Sequence, residues 1–256
     1  MGWTKNRERL HEAAVSTVKA ISKNKKITSN TGLSQRPPVA NHIVVPAAPR
    51  SSKDINKWRG ESDFQAFWYL FHKNTRDFQL TLPARMIFNE LEISRVELLG
   101  CKEFIGSVKN ISNYLDAKSN DLEDEKSLNY LSYGANIWLK DAANFQISET
   151  SRYVLSKFVE KYNIDNSLDK IKKNLINNIE NQKQFEKYAL EFLKGLELVK
   201  EDIYEDEETD FENAPGTTDD IESQNEQTEE NFGEDQNSEL KDLNTDIEID
   251  IQDEID

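Results

Sequence analysis

The sequence predicts an all-α fold, a multi-helix bundle with two long helices followed by a disordered acidic tail. Three observations predict it. Apolar residues recur at steps of three and four through most of residues 1–200, the spacing that lines one face of a helix. Four of the six prolines crowd into positions 37, 38, 46 and 49, away from those periodic stretches. The formal charge of -16 is split: 24 acidic residues and the single Lys241 follow Lys200, leaving 31 basic and 24 acidic residues before it. The body is thus mildly basic and the tail strongly acidic.

The first helix starts with Thr4 as cap and puts Trp3, Leu10, Ala14, Thr17 and Ile21 on one side. Residues 22–50 form a proline-containing linker lying along the body, with an extended piece at Ile43, Val44 and Val45. Ser51 or Ser52 opens a second helix whose Phe64, Phe67, Trp68 and Phe71 make its densest apolar patch. The stretch around which the chain is organised is 80–118. Read as one helix with Pro83 in its first turn, it lines up Ile87, Leu91, Ser94, Leu98, Cys101, Ile105, Val108, Ser112 and Leu115 and spans roughly 50 Å. Gly100 and Gly106 are where a bend or a close helix crossing is expected.

Ser119 or Asn120 caps a fourth helix carrying Leu128, Leu131, Ala135, Trp138 and Leu139, and Ser148 a fifth carrying Tyr153, Val154, Phe158 and Val159. From Ser167 a sixth keeps one stripe, Leu168, Ile171, Leu175, Ile179, Gln182, Phe185, Ala189, Phe192, Leu196 and Val199, for about nine turns. It pairs with the central helix. Residues 1–200 therefore read as the folded domain. Residues 201–256 cannot bury enough apolar area to offset their ordering entropy and read as a disordered acidic linker or tail.

Few residues carry recognisable chemistry. Gly100 and Gly106 lack the lysine of a phosphate loop and sit within the helical stretch. His11, His42 and His72 have no carboxylate or cysteine at ligand spacing and read as surface or packing residues. Glu92 and Arg95 stand where a di-iron bundle would place Glu-x-x-His, and read instead as an i,i+3 ion pair. Glu90 and Glu97 lie two turns apart, too far to share a site. Glu97 is expected to be partly buried with a cation from another helix, within a structural polar network. Asp165, Asn166 and Ser167 superficially match a metal loop but read as a helix start capped by Ser167. Cys101 lies on the apolar stripe, a buried hydrophobe rather than a reactive thiol, and no internal disulfide is possible. With no apolar run of about 18 residues and no apolar secretory stretch at the start, a cytoplasmic protein is expected.

The run from Phe88 through Glu92, Arg95, Val96 and Glu97 to Gly100, followed by Gly106, Ser107, Val108, Lys109 and Asn110, resembles the N-terminal part of the CobT subunit of aerobic cobaltochelatase. Glu8-Arg9-Leu10 with Ala20-Ile21, Arg59-Gly60 through Asp63 and Ala66 to His72, and Asn181 to Phe185 agree in order and approximate spacing. The resemblance implies a non-catalytic subunit of an ATP-dependent metal-chelate-forming ligase that inserts Co(II) into hydrogenobyrinic acid a,c-diamide in cobalamin biosynthesis. Its implied partners are an AAA+ ATPase subunit and a large corrin-binding subunit. ATP, magnesium and cobalt are used by the complex, with no cofactor, metal or catalytic residue in this chain. Glu92, Arg95, Glu97, Gly100, Gly106, Lys109 and Asn110 are implied as fold-defining or interface residues. Family members continue past the acidic stretch into a von Willebrand A domain, which this sequence lacks, so a shortened product is expected. The alternative is a nucleic-acid-binding helical module using the basic segments 19–26 and 170–173, with the acidic tail as internal competitor. The modest basic excess and the lack of a stacking or groove-reading motif make nucleic acid the weaker partner.

Overall fold

A helix whose middle is buried on every side lies at the centre of the chain. The computed structural model describes residues 2–23, 29–32, 36, 38, 43–51, 54–73 and 78–199, without the side chains of 2–5 and 29–32. Trp3 and Thr4 as a side-chain pattern, residues 24–26 of the first basic segment, His42, Ser52 and the acidic tail lie outside the described residues. Among the described residues are eight α-helices: α1 (Gly2–Ile21), α2 (Ile55–Phe71), α3 (Leu82–Glu103), α4 (Val108–Asp121), α5 (Leu128–Ala142), α6 (Glu149–Lys161), α7 (Asp169–Asn177) and α8 (Gln182–Gly195). The extended piece expected near residue 43 is β2 (Ile43–Pro46), which pairs in parallel with β1 (Ser29–Gly32), Ser29 opposite Ile43.

Helix α3 carries two apolar surfaces rather than one stripe. Ala84, Ile87, Phe88 and Leu91 pack with Ala135, Trp138 and Leu139 of α5, Phe158 of α6, and Phe185, Ala189 and Phe192 of α8. Trp138 stacks on Phe192 at 4.4 Å. Ile93, Val96 and Cys101 join Val18 and Ile21 of α1, Ile43 and Val45 of β2, Phe64, Ala66 and Phe67 of α2, and Ile111 of α4. A third cluster holds Leu115, Tyr130, Tyr133, Ile137, Ile147 and Val154. The expected pairing of α3 with the late helical segment is present. Phe64, Phe67 and Trp68 are buried as anticipated, and so is Cys101.

Both long helices of the expectation are interrupted. The central one ends at Glu103: Phe104 leaves helical geometry (φ -120°, ψ 77°), one 3₁₀ turn covers Ile105–Ser107, and α4 restarts at Val108. Tertiary packing overrides the heptad-like pattern here. Phe104 stacks on Phe67 at 5.8 Å, and α4 turns back along α2, burying Ile111 and Leu115 that a straight helix would carry past the bundle. Ile105, placed on the apolar stripe by spacing, is 80% exposed at the corner. The sixth helix is likewise divided. α7 stops before Asn178, and Asn181 caps α8 by accepting a hydrogen bond from the Gln184 amide at 3.2 Å.

Four expected caps shift. Helix α1 begins at Gly2, so Thr4 lies inside it rather than ahead of it. Ser127, not Ser119 or Asn120, caps α5 by accepting from the Tyr130 amide at 3.2 Å, because residues 119 and 120 are still inside α4. Asp165 rather than Ser167 caps the 3₁₀ turn Asn166–Leu168, its Oδ1 accepting from the Ser167 amide at 2.8 Å. Helix α2 begins at Ile55 after Asp54, beyond Ser51. Ser148 does cap α6, accepting from the Ser151 amide at 3.2 Å.

The two motif glycines differ. A Cβ on Gly100 would stand 2.1 Å from the Phe67 ring, so α3 and α2 cross there at a separation only glycine permits. Nothing lies within 4 Å of the corresponding position at Gly106. Gly100→Ala is expected to destabilise the body by roughly 1–3 kcal/mol through overpacking, and Gly106→Ala to stay within about 0.5 kcal/mol of the parent. Paired urea titrations measure both. Burial pushes the Cys101 thiol up to about 12. Its alkylation by iodoacetamide at neutral pH is therefore expected only after denaturation.

Candidate functional site

Burial of the middle of α3 obliges its charged residues to find partners, since an unpaired buried charge is far more unfavourable than a hydrogen-bonded pair. Residues 91–97 are buried without interruption, and they include Glu92, Arg95 and Glu97.

Arg95 is 1% exposed and reaches three segments. Its Nε donates to Glu92 Oε2 at 2.7 Å and its Nη2 to Glu92 Oε1 at 2.7 Å, the i,i+3 pair read from the sequence. Nη2 also donates to the Phe71 carbonyl at 2.9 Å, at the end of α2, and to Gln182 Oε1 at 3.2 Å on α8. Nη1 donates to the Ile179 carbonyl at 3.1 Å. That carbonyl is available because the helix breaks between α7 and α8, so the interruption and the arginine are parts of one arrangement. An ionised carboxylate only accepts, so His72 donates through Nδ1 to Glu92 Oε1 at 2.8 Å; its ring stacks on Trp68 at 3.9 Å. Gln182 exchanges two hydrogen bonds with the Lys73 backbone, both 2.9 Å. The ends of α2 and α8 are thus tied through the middle of α3.

Glu97 lies further along α3, against α5. Its Oε2 accepts from Lys140 Nζ at 2.6 Å, the cation from another helix that its position called for, and its Oε1 accepts from Arg36 Nη2. Lys140 is 0% exposed and also donates to Asn136 Oδ1 at 2.5 Å and to Ser94 Oγ at 3.4 Å. Asn136 in turn donates to Glu90 Oε2 at 3.0 Å, connecting the two glutamates through side chains rather than at a shared site. Burial would raise the Glu97 carboxyl, but Lys140 and Arg36 outweigh it and hold Glu97 below its ordinary range. Glu90 moves the other way, raised by burial against the pull of Arg36.

Of the remaining motif residues, Asn110 donates to Asp63 Oδ2 at 2.8 Å, joining α4 to α2. Lys109 and Gly106 are exposed, and Gly100 serves the α2 crossing. The structure therefore divides the motif into two buried clusters on α3, around Arg95 and Glu97, and a separate α2–α4 contact. Sequence reading missed Arg36, Lys140 and Asn136. Only the need of a buried Glu97 for a cation pointed toward them, and it did not say which of the 31 bases ahead of the tail would answer. Among the described residues no three His, Cys, Asp or Glu side chains converge as a metal site requires, and no helix is long and apolar enough to cross a membrane. Lys172, in the basic segment 170–173, pairs with Asp169 at 2.5 Å.

Since the Glu97 carboxyl is depressed on folding, its stabilisation is present above the ordinary value of 4.5 and is lost as pH falls through the depressed value. Urea midpoints followed downward from neutral pH will decline on the acid side, and Glu97→Gln will reduce that slope. Lys140→Ala is expected to cost about 3 kcal/mol at neutral pH, the lower part of the range for breaking a buried pair because Arg36 still faces Glu97.

Residues 4–147, more than half of the chain and reaching from α1 just past α5, match the family described as cobalamin biosynthesis protein CobT. No curated protein and no solved structure matches the chain. The matched region contains Glu92, Arg95, Glu97, Lys140 and both motif glycines, and it ends before α6, α7 and α8, which also pack against α3. The chain belongs to the CobT family and has its role in cobalamin biosynthesis.

Proposed function

We propose that this chain is a non-catalytic coupling subunit of an ATP-dependent aerobic cobaltochelatase, linking an AAA+ ATPase subunit to a large corrin-binding subunit during insertion of Co(II) into hydrogenobyrinic acid a,c-diamide. The observation that carries the reading is the family match over residues 4–147. The structure supports it physically. The buried charges of α3 engage partners within the chain and tie α2, α5 and α8 into one body, an arrangement suited to transmitting force between subunits. ATP, magnesium and the cobalt substrate are assigned to the complex. Residues 1–200 act as the docking body and 201–256 as a charged tether, while Lys109 and Gly106 are exposed motif positions available for contact.

Reconstitution tests this directly. Cobalt insertion followed by corrin absorbance is expected with all three subunits and not with this chain alone or with the other two alone; full insertion without it would end the reading. Arg95→Ala is expected to lower stability by about 3–5 kcal/mol, through the uncompensated Glu92, and to abolish co-purification with the ATPase subunit. Lys109→Glu, on an exposed side chain, is expected to weaken association with unchanged thermal stability.

A further inference from the structure

The corner between α3 and α4 holds three features that the fold itself does not use. Ile105 is 80% exposed, the most exposed large hydrophobic among the described residues. Gly106 has no steric or conformational duty: a Cβ there would meet nothing within 4 Å, and no described glycine has a positive φ. Lys109 on α4 and Arg59 on α2 are exposed, and neither makes an ion pair among the described residues.

The outward position of Ile105 is enforced from both sides. Before it, Phe104 turns inward to stack on Phe67 at 5.8 Å, and the Ser107 amide closes the turn by donating to the Phe104 carbonyl at 2.8 Å. After it, Ser107 and Asn110 both hydrogen-bond Asp63 of α2, Asn110 Nδ2 donating to Oδ2 at 2.8 Å. A single exposed apolar residue is ordinary on a protein surface. One held outward beside bare backbone is a preformed projection, which loses little freedom on binding.

The charges around the projection have one sign left over. Lys102 pairs with Glu180, and Glu103 with Lys23 at 3.6 Å, so those exposed charges cancel. Lys109 and Arg59 are not cancelled. They lie on the two helices that meet beneath the corner: a Cβ on Gly60, next to Arg59, would stand 2.3 Å from the carbonyl of Asn110, next to Lys109. An apolar centre with a cationic rim fits a surface that is apolar at its centre and acidic around it. The bare backbone at Gly106 permits an approach that any side chain would deny.

We propose that residues 105–109 and Arg59 form a docking projection for another protein subunit, one with an apolar pocket for the Ile105 side chain, main chain lying close over Gly106, and carboxylates opposite Lys109 and Arg59. The inference rests on the reading of this chain as a subunit that joins others, and adds where it is gripped and by what chemistry.

The test uses the full chain, with the ATPase and large corrin-binding subunits together as probe, and measures association and dissociation rates. Ile105→Asp and Gly106→Gln are expected to weaken binding roughly tenfold or more, mainly through faster dissociation, while keeping the parent's urea midpoint. Arg59→Glu combined with Lys109→Glu is expected to slow association and flatten its dependence on salt. Ile105→Val, which keeps a branched aliphatic group, is expected to retain binding. Parent-like binding by Ile105→Asp or Gly106→Gln, or equal losses in Ile105→Val and Ile105→Asp, overturns the projection and leaves the coupling reading standing. Failure of the parent itself to bind overturns both. Self-association of the parent that Ile105→Asp abolishes would assign the corner to a second copy, and duplex DNA binding lost in the charge variants would assign it to an anionic polymer; either result overturns the proposal.

Discussion

Burial of Glu97 is the constraint from which much of the arrangement follows. A carboxylate taken out of water in the middle of a helix is tolerated only where cations and hydrogen bonds replace its hydration. Lys140 arrives from α5 and Arg36 from the stretch ahead of α2, and both meet it. This fixes where α5 lies along α3, because Lys140 reaches Glu97 while Asn136, one turn earlier, reaches Glu90. The apolar contacts of Ala135, Trp138 and Leu139 then fall against Ile87, Phe88 and Leu91. Non-directional packing would permit several registers; the charge pair permits few.

The same logic nearby on α3 joins the far end of the body. Arg95 donates hydrogen bonds to Glu92, to the end of α2, and to the break between α7 and α8. A continuous helix over residues 169–195 would keep the Ile179 carbonyl inside its own ladder. The interruption is therefore a feature of the fold that serves a buried arginine, much as the corner at residues 104–107 serves the return of α4 along α2.

These arrangements fit the coupling role proposed above. Ionisable groups at the centre are paired internally, and the polar clusters sit between helices. Internal pairing of that kind fixes how the helices meet, and the motif from Glu92 to Gly100 that resembles CobT maps largely onto residues that create it. Arg36 differs in one respect, since its buried Nε has no acceptor.

By itself the sequence determined the helical class, the burial of Phe64, Phe67, Trp68 and Cys101, the Glu92–Arg95 pair, the demand of Glu97 for a cation, and, through the motif from Glu92 to Gly100, the family. Those features depend on local spacing and on the price of burying particular side chains, which adjacent residues express. The length of the helices, the caps at Ser127 and Asp165, and the identities of Arg36, Lys140 and Asn136 were decided by tertiary structure alone. Periodicity continues unbroken through Phe104 and Asn178 because the same residues can line one long helix or two short ones. Only the ring of Phe67, the return of α4 against Gly60 and the reach of Arg95 to Ile179 select the broken forms. A charge partner 43 or 61 residues away leaves no trace in spacing, since the contact exists only once the helices have packed.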